Sequence, residues 1–268
     1  MKEFVDQLGR KISLDSVPKR IVSLVPSQTE LLYELGLQDE VAGITKFCIH
    51  PDTWFRNKLK VGGTKTIDLE KISQLKPDLI IGNKEENEAM VMADLMKQYP
   101  VWISNVTNLD DALEMIECVG ELVGKTAGSI KLKNEIKEQF DQLHPLQAIL
   151  NEQIRTAYLI WKEPLMTIGS DSFIHDMLTK CGFINVFNSR KRYPEITFQE
   201  LASSSPDLIL LPSEPYPFKE KHLSEFKSVC PGSRIILVDG ELFSWYGSRL
   251  LKAPDYFRSL VKQIQFRN

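Results

Sequence analysis

Apolar positions recur along this chain with two alternating signatures. Short, nearly unbroken apolar runs such as "RIVSLV" (Arg20 to Val25) and "DLIIG" (Asp78 to Gly82) read as buried strands, and the segments between them repeat apolar residues every three or four positions, as helices do. One run occurs twice. "LKPDLIIG", Leu75 to Gly82, has a near copy in "SSPDLILL", Ser204 to Leu211. In the first copy Asp68 is placed to cap a short helix, "LEKISQL", with Leu69, Ile72 and Leu75 on one face. Pro77 stops that helix and a strand follows. In the second copy Thr197 caps "FQELASS", Glu200 stands at capping-box spacing, Pro206 ends the helix, and "DLILLP" is the strand. The copies lie too far apart for a short solenoid repeat, so the pattern predicts one architecture built twice.

A second pair of segments agrees. "RIVSLVPSQTELLYELGL" predicts a strand, then a helix with Ser27 and Glu30 spaced as a capping box and Gly36 as its C-terminal stop. "TAYLIWKEPLMTIGSDSFIHDMLTKCGF" predicts a strand over Thr156 to Trp161 and a helix closed by Gly182. The expected fold class is therefore α/β: two Rossmann-like lobes, each with a mainly parallel sheet. Between them "KTAGSIKLKNEIKEQFDQLHP" carries Leu132, Ile136, Phe140 and Leu143 at helical spacing, ending near Pro145. It predicts one long connecting helix, about 27 Å from Thr126 to Leu143 at about 1.5 Å per residue. The lobes are expected at residues 1–124 and 146–268, the helix at 125–145, with rocking rather than large closure.

Composition narrows the function. The 268 residues, 43% hydrophobic and 26% charged, suffice for one large core or two ordinary ones. A net charge of −3 offers no field to gather nucleic acid or anionic lipid, and the longest basic run is "SRKRY", Ser189 to Tyr193. No window has the roughly 18 to 20 apolar residues of a membrane helix, and "MKEFVDQLGRKISLD" lacks an apolar leader core. Cys48, Cys118, Cys181 and Cys230 are widely spaced, which suits buried free thiols better than zinc clusters.

Nucleotide, acyl-transfer and metalloprotease motifs are absent, so no catalytic residue and no resident metal ligand is proposed. Of the four histidines only His50, in the strand-exit loop "KFCIHPDTW" with Phe47, lies where α/β sheets present ligand contacts. Aromatic residues cluster in two other strand-exit loops. "SRKRYPEIT" joins Tyr193 to Arg190, Lys191 and Arg192, and "DGELFSWYGSRL" holds Phe243, Trp245, Tyr246 and Arg249. Wide rings beside guanidinium groups suit a flat or bulky ligand with negative charge. The competing reading makes Phe243 and Trp245 core residues and the basic run a solvated loop.

With "DQLGRKISLDSVPKRIVSLVPSQTELLYELGL", "VGGTKTIDLEKISQLKPDLIIG" and "YPEITFQELASSSPDLILLP" in view, nearly the whole chain resembles the class III periplasmic substrate-binding proteins. These helical-backbone metal receptors deliver cobalamin, ferric siderophores or haem to ABC importers. The resemblance is nearest to the cobalamin-binding branch. It implies a non-enzymatic, monomeric receptor with its ligand cleft between the lobes, and an ABC permease and ATPase as partners. Phe47, Met166 and Tyr193 would hold the ligand, with Trp161 beside them and Trp245, Tyr246 and Arg249 as the far wall. Thr64 and Asn83 stand where the cobalamin binder has tryptophans, making the first lobe more polar. A glutamate on each lobe would meet the permease: Glu70 fits the first place, whereas the second is Gln199, with Glu200 one position on. The resemblance implies a periplasmic or envelope-associated protein; Met1 as native start implies a cytoplasmic one. The rival readings are a cytoplasmic cofactor-handling protein or enzyme that has lost transport, and a zinc or manganese receptor, for which only His50 and Glu241 lie in suitable loops.

Overall fold

The computed structural model describes residues 2–143 and 153–265. They group into two compact units. Met1–Val106, Asp110–Glu135 and Tyr246–Arg249 make the first; Thr107–Leu109, Ile136–Trp245 and Leu250–Asn268 make the second.

The first unit opens with an antiparallel hairpin, β1 (Lys2–Val5) and β2 (Lys11–Leu14). Its main sheet is β3 (Ile21–Ser23), β4 (Val41–Ile44), β5 (Leu59–Lys60), β6 (Leu79–Asn83) and β7 (Val101–Ser104), in the order β5-β4-β3-β6-β7, parallel throughout. Helices α1 (Pro26–Glu34), α2 (Asp52–Asn57), α3 (Leu69–Leu75), α4 (Ala89–Met96), α5 (Leu109–Leu122) and α6 (Thr126–Asp141) alternate with or follow the strands. Val22, Leu24, Ile72, Ile80, Met92 and Ile103 pack together between strands and helices. Apolar burial of about 25 cal/mol per Å² is the main force holding these layers.

The second unit has β8 (Arg155–Trp161), β9 (Met166–Thr167), β10 (Ile184–Asn185), β11 (Leu208–Pro212) and β12 (Arg234–Val238). The order is β10-β8-β11-β12, all parallel, with β9 antiparallel to β8. Its helices are α7 (Phe173–Lys180), α8 (Phe198–Ser203), α9 (Glu220–Val229), α10 (Glu241–Ser244) and α11 (Ala253–Gln265). The order β4-β3-β6-β7 in one unit and β10-β8-β11-β12 in the other follows the same sequence of crossovers, which is the duplication the repeated runs predict.

The repeated Pro-Asp has a physical reason. Ahead of each proline the residue is pushed out of helical conformation, and Lys76 and Ser205 sit in the left-handed region with φ of 45° and 46°. The aspartate then pins the start of the neighbouring central strand. Asp78 accepts from the backbone N–H groups of Lys19 and Arg20 at 2.8 Å each and donates its own N–H to the Arg20 carbonyl at 3.0 Å. Asp207 repeats this with Arg155, accepting at 2.9 Å and donating at 2.8 Å. One dipeptide thus ends a helix and sets a strand register in each unit.

Gly36 and Gly182, with φ of 77° and 83°, close α1 and α7 in the left-handed conformation that glycine adopts without penalty. The caps at Asp68 and Thr197 form as their spacing predicts, the second as a full capping box with Glu200. The predicted box at Ser27 and Glu30 does not form. Proline at the first helical position starts α1 at Pro26, its N-cap is Val25, and Glu30 is taken by a distant arginine. In α6, Leu132, Ile136 and Phe140 are buried, as is Leu143 two residues past its end. Residues up to Glu135 group with the first unit and those from Ile136 with the second. His144 and Pro145, on which the expected end of the connecting helix rests, lie outside the described residues.

Candidate ligand-binding surfaces

In the first unit the carboxyl ends of β3, β4, β5 and β6 carry the residues singled out from the sequence. The β4 exit loop is anchored by Cys48, a fully buried thiol 3.1 Å from the hydroxyls of both Thr29 and Thr45. Burial pushes that thiol up to about 11, so it stays neutral and serves as a peg. The peg leaves its neighbour Phe47 half exposed, at 50%, with Ile49 also outside and His50 partly buried. The Phe47 ring lies against Gly63, where an added Cβ would be 3.1 Å from Cε2, and the Lys46 ammonium sits 5.2 Å from the ring centre. Thr64 follows directly and is partly buried. Completing the burial of a ring of this size is worth on the order of 1 kcal/mol.

Asn83 is placed on this edge but differently from expectation. It is 2% exposed and its polar atoms are engaged: Oδ1 accepts from the N–H groups of Glu85 and Glu86, and Nδ2 donates to the Ser104 hydroxyl at 2.9 Å. It shapes the loop after β6. Sequence reasoning passed over Asn87, which accepts from the Asn83 N–H at 2.8 Å and donates to the Thr64 carbonyl at 3.0 Å. Asn87 ties two strand-exit loops together. The only signal was two asparagines four apart after a strand.

Tyr246 and Arg249, grouped with the first unit, are buried rather than open to a ligand. The Tyr246 hydroxyl donates to Glu86 at 2.9 Å, and the Arg249 guanidinium makes two bonds of 2.8 Å to the Glu30 carboxylate. A bidentate pair this enclosed uses its charge internally. Gly247 passes against α1 so closely that a Cβ there would lie 2.8 Å from the Ser27 carbonyl.

In the second unit the basic loop after β10 lies along the segment following β9. Gly169 donates to the Arg192 carbonyl at 2.7 Å, Ser170 to that of Arg190 at 3.0 Å, and Met166 bridges to Glu195. A side chain at Gly169 would meet the Arg190 carbonyl at 2.5 Å, so only glycine permits this approach. Met166 and Tyr193, on the two segments so joined, are both partly buried. Arg192, with φ of 59°, donates its N–H to Asp171, which holds that carboxyl below its usual range, and its guanidinium lies 5.8 Å from the Tyr193 ring. Arg190 is structural: it pairs with Glu200, donates to the Glu195 carbonyl at 3.1 Å and covers Phe187. Trp161, at the β8 exit, is 39% exposed and stacks edge-on with Tyr216 at 5.6 Å. Trp245 is 6% exposed, with its indole N–H on Glu214 at 2.8 Å.

Glu70, in the first turn of α3, and Gln199, in that of α8, are both exposed. Glu200 is committed. It accepts from the Thr197 N–H at 2.7 Å and from Arg190, and these contacts, the arginine first, hold its carboxyl below the usual range. Among the described residues no group of three or more His, Cys, Asp and Glu is arranged to hold a metal ion, and no helix is long and apolar enough to cross a membrane.

The two units are parallel-sheet units of one design, each with ring-bearing loops at the carboxyl ends of its strands. The chain belongs to the periplasmic binding protein family, whose sequence model matches residues 21–228. Over 193 residues it is 26% identical to the vitamin B12-binding protein of Vibrio cholerae serotype O1 (strain ATCC 39541), covering 71% of this chain and 69% of that one. Over 274 residues it is 25% identical to the uncharacterized ABC transporter substrate-binding lipoprotein YvrC of Bacillus subtilis (strain 168), covering 98% and 86%. Among solved structures it is similar to the periplasmic heme-binding protein RhuT from Roseiflexus sp. RS-1, with a TM-score of 0.81 at 19% identity over 92% of this chain and 99% of that one.

Proposed function

We propose that this chain is the substrate-binding component of an ABC-type importer and that it holds a metal-containing cofactor or chelate, of the cobalamin, haem or ferric siderophore class, without transforming it. The observation that carries this reading is the set of rings at the carboxyl ends of both sheets, Phe47 in one unit and Trp161 and Tyr193 in the other. His50, Thr64 and Met166 border them, and Lys191 and Arg192 supply exposed positive charge for carboxylates or ionised oxygens on the ligand. Asn83, Trp245, Tyr246 and Arg249 act from behind, by fixing loops and charges. The lobes of residues 1–124 and 146–268 with a helix between them, a monomeric state and an envelope location belong to the same reading. Permease docking would use Glu70 and Gln199.

Purified protein titrated with cyanocobalamin, hemin and a ferric siderophore, followed by tryptophan emission, tests it. One of the three is expected to bind at low micromolar Kd or tighter, and Phe47→Ser or Tyr193→Ser to weaken it about tenfold, the equivalent of about 1.4 kcal/mol. Binding of none below high micromolar concentration overturns the proposal.

One observation favours a second reading, a family member that has left transport: the second docking carboxylate is missing, because Glu200 is locked between Thr197 and Arg190. Native mass spectrometry of protein from its own host separates the two, since a non-transport role is expected to retain a bound cofactor without any permease or ATPase co-purifying.

A further inference from the structure

At the carboxyl ends of β11 and β12, Glu214 sits in a nest made by the segment Asp239–Trp245. Its Oε1 accepts from the Ser244 hydroxyl at 2.5 Å and from the Trp245 indole N–H at 2.8 Å. The backbone closes on it from the other side: a Cβ added to Gly240 would lie 2.7 Å from the Glu214 carbonyl and 2.9 Å from its Cγ. Gly240 also donates its N–H to Ser213 at 3.0 Å, so α10 is tied to the β11 exit at two successive residues. One carboxylate oxygen thus orients the only polar atom of Trp245. The ring itself is 6% exposed.

We propose that Glu214 is a positioning residue whose proton occupancy sets the orientation of Trp245 and, through it, the shape of the ligand-facing end of the second unit. The last clause rests on the function proposed above. The electrostatic setting is consistent with this role. Burial raises the Glu214 carboxyl above its usual range, the hydrogen bonds from Ser244 and Trp245 act against that, and the negative charges of Glu241 in α10 and Asp239 at the β12 exit add to it. The other titratable groups facing this corner are Tyr158 of β8, whose buried hydroxyl has no hydrogen-bond partner among the described residues, and Tyr256 of α11, which accepts from the Asp239 N–H at 2.9 Å. An ionised Glu214 grips the two donors through a charge-assisted bond; a protonated one still accepts them but more weakly, and its own O–H becomes a donor.

The test uses the full chain labelled with ¹⁵N. The Trp245 indole N–H resonance, identified by its loss in Trp245→Phe, is followed from pH 4 to pH 8. It is expected to titrate with a midpoint above the ordinary glutamate value of about 4.3. Glu214→Gln keeps the acceptor oxygen and is expected to make the resonance insensitive to pH. Ser244→Ala removes a donor that favours the ionised form and is expected to raise the midpoint, which keeps the idea open to refutation should the glutamine variant fold poorly. A flat wild-type profile, an unchanged profile in Glu214→Gln, or an unmoved midpoint in Ser244→Ala overturns the proposal. In a second arm cyanocobalamin and hemin are titrated on either side of the midpoint, with Kd expected to differ by about threefold or more in the wild type and to be level in Glu214→Gln. A ligand that binds with the same Kd at both pH values removes the link to the ligand surface. If neither binds at any pH, the receptor reading fails and the resonance alone decides the role of Glu214.

Discussion

At the scale of single residues, several side chains that look like ligand contacts in the sequence turn out to be braces. Arg249 is the sharpest case. Guanidinium groups beside aromatic residues suit an anionic guest, yet this one is enclosed by a bidentate bond to Glu30, with side-chain exposures of 10% and 14%. Breaking an enclosed pair leaves one charge stranded, which costs about 3–5 kcal/mol. Glu30→Gln and Arg249→Gln are each expected to lower stability in urea unfolding by about that much, whereas the double variant should lose clearly less than the sum, because neither charge is then orphaned. Glu214 makes the opposite kind of statement. Its carboxyl is raised in the folded chain, so the folded state holds the proton more firmly than the unfolded one does. The associated stability is fully present below the unfolded value and is lost as pH rises through the folded one. Urea midpoints of Glu214→Gln minus wild type are therefore expected to climb between pH 4 and pH 8, then level off. A difference that stays flat or falls contradicts the assignment.

Elements show which signals in a sequence are local. The caps at Asp68 and Thr197, the glycine stops at Gly36 and Gly182, and both Pro-Asp strands depend on neighbours a few positions away, and all were legible. The Ser27 and Glu30 box was equally local in spelling but lost to two other effects. Proline began the helix earlier, and Glu30 found a partner 219 residues on. Lys76 and Ser205 offer a measurement at this scale. Each holds a left-handed conformation, at φ of 45° and 46°, that costs a residue with a side chain roughly 1 kcal/mol relative to glycine. Lys76→Gly and Ser205→Gly are each expected to be neutral to stabilising by up to about 1 kcal/mol in urea melts, despite the greater freedom glycine gives the unfolded chain. Alanine at the same places should give no gain. Matching results at both positions would show that the two copies store the same strain for the same turn.

For the whole molecule, the duplication and the α/β class could be read from the chain because they rest on periodicity, while the exposure of its rings could not. Phe47 is half exposed and Tyr193 partly buried, while Trp245 and Tyr246 are closed, for reasons that lie in distant residues: a buried thiol under one loop, a missing Cβ at Gly169 under another, and carboxylates at Glu214 and Glu86 for the last two. Sequence spacing carries none of that. On the receptor reading proposed above, the ligand rather than the packing completes the burial of the exposed rings, and a ligand that does so must stabilise the fold by mass action. At a free concentration one hundred times Kd the gain is about 2.7 kcal/mol. For a chain of this size each kcal/mol moves the midpoint of thermal unfolding by about 2–4 °C, so a shift of roughly 5–10 °C is expected. Cyanocobalamin, hemin and ferric siderophores scanned by thermal unfolding should therefore separate cleanly, with one class raising Tm in proportion to the logarithm of its concentration and the others leaving it unmoved. At the same ligand concentration Phe47→Ser, with its tenfold weaker binding, should roughly halve the shift while changing the ligand-free Tm little, because that ring is half outside the fold already. A concentration-independent Tm for all three classes would count against the receptor reading, as failure to bind in the titrations would.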